Sequence, residues 1–108
     1  MLRKLLLPML LIAAFPSSFA QTHMPPQARA EYCYKIGYMA GVARQKALNG
    51  LTKQEFNAAV EALEQNTELP TQTRSDLIIS VNEGFSSKLP PETIHQLVTE
   101  QCLARISI

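Results

Sequence analysis

The chain is poor in the residue types from which catalytic and metal centres are built. Its 108 residues include two histidines, two cysteines and four glycines. The histidines, His23 and His95, are far apart, and the carboxylates are scattered about one per helical turn, as on a solvated face. No metal-ligand cluster, nucleophile elbow or glycine-rich phosphate loop is present. No catalytic residue and no cofactor are expected, and the chain reads as non-enzymatic. Period-two alternation of any length is missing, as are internal repeats and low-complexity stretches, which removes β and solenoid architectures. No run of like charges occurs either. Ten Lys and Arg stand against nine Asp and Glu, and such a balance lacks the basic patch that nucleic acid or an anionic membrane surface needs.

One long apolar run does exist, and it lies at the amino terminus. Arg3 and Lys4 precede an apolar stretch from Leu5 to Phe15, broken only by Pro8, and Ser18 and Ala20 then supply small residues. Basic start, short apolar core and small-residue cut site are the parts of a secretory signal. The stretch is about half of the roughly 20 residues that span a bilayer, so no stable membrane anchor is expected. Cleavage after Ala20 would discard Arg3 and Lys4 and leave eight basic against nine acidic residues. The expected location is the periplasm or the exterior.

In an exported protein, an isolated cysteine pair reads as a structural disulfide. Cys33 and Cys102 sit near opposite ends of the mature region. Closing so long a loop contributes about 4 kcal/mol on the chain-entropy model, as much as the whole stability of many small domains.

The rest divides into an extended arm at residues 21–26, ending in Pro25-Pro26, and a helical domain over 27–108. Cys33, Ile36, Ala40, Ala43 and Ala47 recur at helical steps, and Asn49-Gly50 stops that helix. Thr52 and Glu55 form a capping box for a second helix, whose expected inner residues are Phe56, Ala59, Val60 and Leu63. A third helix follows Pro70, with Leu77, Ile78, Val81 and Phe85 inward and Asp76 near the positive end of the helix dipole. Pro90-Pro91 and Glu92 open a fourth, with Ile94, Leu97, Val98 and Cys102 inward. The expected fold is all-α, a compact four-helix domain with one disulfide joining the first and last helices.

The first helix carries the functional candidates. Its apolar character extends nearly all round, through Tyr34, Tyr38 and Val42 on one flank and Tyr32 and Met39 on the other. Such a helix is central in its fold or shared with a partner. Gly37 and Gly41, one turn apart, each cost about 1 kcal/mol relative to alanine in a helix. They point to a close backbone crossing, either within the domain or in a seam with a second copy. Tyr34 and Tyr38 lie off the cysteine line and are candidates for an exposed contact patch, so the expected interaction surface is Tyr34, Tyr38, Gly37 and Gly41. Arg44 needs a partner such as Glu100 or Glu55, or else extends its head to solvent. His95 reads as a surface residue. After cleavage at Ala20, the free amine of Gln21, the Gln21-Thr22-His23 backbone and the His23 ring could wrap Cu(II) or Ni(II) in a square plane, with Met24 adding a thioether. Cyclisation of Gln21 would abolish that site.

Tyr32-Cys33 leading into Ile36-Gly37, the Gly50 stop, and a Pro-Pro-Glu helix ending at Cys102 together resemble small exported helical proteins of Gram-negative bacteria whose body is flanked by two cysteines. The resemblance implies a periplasmic helical domain and brings no function with it. The architecture is also similar to periplasmic acid-stress chaperones, from which the cysteine spacing and lysine-poor composition depart. Two functions are therefore expected. One is a protein-interaction module, inhibitor-like or immunity-like, whose partner is another envelope protein or a second copy. The other is a periplasmic stress chaperone.

Overall fold

Local signals alone delimit most of the helices. In the computed structural model, which describes residues 24–106, they are α1 (Pro26–Leu48), α2 (Lys53–Glu64), α3 (Thr71–Ser86) and α4 (Pro91–Ile106), with no strand among the described residues. The signal-peptide assignment at 1–20 and the Gln21-Thr22-His23 motif lie outside the described residues. Pro26 and Pro91 occupy first-turn positions, where a missing N–H breaks no helical bond. α1 ends in a Schellman motif: the Gly50 N–H donates to Ala47 O and the Leu51 N–H to Lys46 O. Gly50 carries φ +100°, which only glycine adopts without strain. The capping box of α2 is formed in both directions, Glu55 N–H to Thr52 Oγ1 at 3.1 Å and Thr52 N–H to Glu55 Oε1 at 2.9 Å.

α1 is the central element, with α3 and α4 packed along two of its sides. Cys33, Ile36, Ala40 and Ala43 are buried, as their spacing predicts, and so are Tyr32, Met39, Gly37 and Gly41. Breadth of burial explains the helix's near-continuous apolar composition: it serves two neighbours at once. Against α3, backbones meet where a Cβ on Gly84 would lie 2.8 Å from the Ala40 carbonyl carbon. Gly84, near the close of α3, is thus a buried crossing point. Beside it Ser80 Oγ donates to Ile36 O at 2.6 Å, giving this buried hydroxyl an acceptor.

Against α4, Gly37 and Gly41 make the second crossing. A Cβ on Gly37 would overlap the Thr99 hydroxyl and lie 2.6 Å from His95 O, and one on Gly41 would lie 3.1 Å from Pro91 O. The glycines thus serve an intradomain helix contact, and α4 covers them. One turn earlier the Cys33–Cys102 disulfide joins α1 to α4 with Cα atoms 5.4 Å apart. α2 packs mainly on α3, where the Phe56 and Phe85 rings stack with centroids 4.1 Å apart and an interplanar angle of 8°.

Several expected core positions lie elsewhere. Ala59 is exposed, because α2 touches its neighbours along a single narrow line through Phe56, Val60 and Leu63. Leu97 is 36% exposed, because α4 faces α1 along Ile94, Val98 and Cys102. The segment expected as a loose arm is ordered at its far end: Met24 is 5% exposed within the core, Arg29 Nη1 donates to its carbonyl at 3.4 Å, and Pro26 already belongs to α1.

Candidate interaction surface

The most distinctive exposed feature is an aromatic cluster over the seam of α1 and α4. Tyr34 and Tyr38, one turn apart on α1, are 56% and 44% exposed. Between them sits the half-buried imidazole of His95 from α4, 4.6 Å from the Tyr34 ring centroid and 5.9 Å from that of Tyr38, edge-on to both. Edge-to-face pairs at such distances are attractive, because the positive ring edge meets a negative face. His95 can reach this position only because Gly37 and Gly41 let the α4 backbone settle onto α1. A Cβ on Gly41 would already lie 3.4 Å from the His95 Cβ.

Of the expected surface residues, the structure exposes Tyr34 and Tyr38 and buries Gly37 and Gly41, which act beneath the cluster rather than in it. His95, expected simply at the surface, is the residue that joins the two tyrosines. Its position three residues before Val98 and one after Ile94, at the edge of the α4 stripe, is the signal that it borders a neighbouring helix. A shallow open notch lined by Ala30, Glu31, Tyr34 and Lys35 continues the surface toward the start of α1.

A second polar constellation lies inside the protein. The Tyr32 hydroxyl of α1 donates to Asp76 Oδ2, Gln72 Nε2 donates to Asp76 Oδ1 at 3.0 Å, and Arg105 Nη2 of α4 lies 3.7 Å from the same Oδ1. Asp76 is 4% exposed and links three helices, so its role extends well beyond the dipole interaction its sequence position implies. The group resembles a structural pin, since a buried carboxylate is tolerated when hydrogen-bonded and paired. Arg44 takes neither Glu100 nor Glu55. Its Nε donates to Leu89 O at 2.7 Å and so fixes the linker between α3 and α4. Arg74 does the same for the preceding linker through Asn66 O, also at 2.7 Å.

Among the described residues no group of three or more His, Cys, Asp or Glu is placed to hold a metal ion, and both cysteines are in the disulfide. The thioether of Met24, a sequence candidate for an amino-terminal copper site, points into the core instead. No helix of the described residues is long and apolar enough to cross a membrane. No protein-family model matches the chain, and neither the curated proteins nor the solved structures contain a match to it.

Proposed function

We propose that this is an exported, non-enzymatic interaction module that binds another envelope protein through the Tyr34–Tyr38–His95 surface. The amino-terminal signal pattern and the disulfide support an oxidising compartment outside the cytoplasm. The observation that carries the binding reading is that two exposed tyrosines are braced by a histidine from a second, covalently linked helix. Exposed aromatics ordinarily lose side-chain freedom on binding, at about 0.5–1.5 kcal/mol per immobilised chain. Rings already held edge-on have part of that loss behind them. Tyrosine is also enriched among interface residues that dominate affinity. Small disulfide-tied modules of this kind suit inhibitor or immunity roles, in which a rigid face must fit one target.

The test is capture from envelope extract at neutral pH by the mature wild-type protein, with the Tyr34→Ala/Tyr38→Ala double variant as control. A stoichiometric complex that the double variant fails to form supports the reading. Equal capture by both forms refutes it.

A second reading, a stress chaperone that exposes apolar surface on demand, draws on the light anchorage of α2 through Phe56. It requires that the protein suppress client aggregation after its packing is loosened by strong acid. Client protection there, without any stoichiometric partner at neutral pH, would favour it over the first.

A further inference from the structure

α2 is attached to the rest of the protein in a way the other helices are not. α1, α3 and α4 are bound to one another by the two glycine crossings, the disulfide, the Ser80–Ile36 bond and the Asp76 pin. None of these reaches α2. Of its twelve residues only Phe56 is buried, with Val60 and Leu63 partly so. At its carboxyl end it stands off from α3, leaving an open cleft lined by Glu64, Thr71, Arg74, Ser75, Ile78 and Ile79. A helix of this length is marginal in water without docking, whatever its capping box adds. Its ends are fixed on the frame: Gly50 closes α1 through the Schellman bonds, Arg74 of α3 holds the Asn66 carbonyl at 2.7 Å, and Leu69 beyond it is buried in the core.

We infer that α2 is a hinged flap that opens and closes as a unit between Gly50 and Asn66, while the disulfide-bonded frame of α1, α3 and α4 stays folded. Opening separates the Phe56–Phe85 stack and uncovers the apolar side of α3 around Phe85, on a different part of the molecule from the tyrosine surface. Regions with few buried apolar contacts open at lower free energy than the cores they rest on. The consequence is a protein with one permanently presented face and one that is presented only intermittently. The inference is independent of the binding role proposed above, and its test reads exchange rather than partner capture.

Amide hydrogen exchange of the full disulfide-bonded protein decides it. The amides of 57–64 should exchange at least 100-fold faster than the slowest amides of α1, together and with a weak denaturant dependence. Tyr32→Phe supplies the sharper comparison. Its lost bond lies in the frame and is absent equally from the closed and open forms. It should therefore speed the slowest α1 amides about ten-fold and leave the α2 amides unchanged. Equal protection of α2 and α1 in the wild-type protein would overturn the inference without any variant. So would acceleration of both helices by the same factor in Tyr32→Phe.

Discussion

The hydroxyl of Tyr32 donates to the carboxylate of Asp76 at 2.5 Å, across 44 residues of sequence and inside the protein. The bond fixes the register of α1 against α3. Tyr32→Phe keeps the ring and removes the donor, leaving a buried carboxylate short of one partner, so the variant should lose about 1–3 kcal/mol. Arg105 touches the same carboxylate at 3.7 Å from a half-exposed position, and Arg105→Gln should cost under about 1 kcal/mol, as exposed ion pairs do. Urea unfolding of the two variants checks the order; a larger loss for Arg105→Gln would contradict it.

Glycine crossings invite a graded series. Alanine at position 37 gains about 1 kcal/mol of helix propensity but places a methyl 2.6 Å from a backbone oxygen. Overpacking of that kind costs about 1–3 kcal/mol, and the displaced α4 carries His95 with it. Gly37→Ala should therefore be destabilising overall and Gly41→Ala, with its 3.1 Å contact, near neutral. Urea midpoints at constant slope measure both.

Thr52→Ala removes one half of the α2 capping box and should lower stability by about 1 kcal/mol. That corresponds to roughly five-fold faster exchange of the α2 amides. Circular dichroism with denaturant and amide exchange report the two quantities separately, and a variant as stable as wild type would show the box to be idle.

Loss of the covalent link should have the largest effect of all. The bridge spans 69 residues of sequence, and the Cys33→Ala/Cys102→Ala variant should be less stable by about 4 kcal/mol on the chain-entropy model. Both cysteines are fully buried, so reduction of the folded protein should be slow and should accelerate with denaturant. Thiol titration over time, with and without urea, follows this.

Features that depend on one helix were legible in the chain. The Thr52–Glu55 box, the Gly50 stop, the proline that opens α4 and the buried line through Cys33, Ile36 and Ala40 are written in local spacing, and the structure has them all. The cysteine pair supplied the one long-range contact that sequence alone could name. What escaped was the rim of each apolar stripe. Whether Leu97 or His95 borders the seam depends on how far α4 is rotated about its axis, and a helix's own periodicity leaves that angle open by about one residue. The Asp76 pin escaped for a related reason. An aspartate in the first turns of a helix has a local explanation, and two of its partners, Tyr32 and Arg105, lie on other helices.

The bridge between Cys33 and Cys102 closes the chain between them into a covalent ring. Scission of the backbone once, anywhere from the start of α2 to the linker before α4, would leave both pieces tethered, with α1 and α4 still gripping one another. A single cut there would therefore alter the molecule without dispersing it.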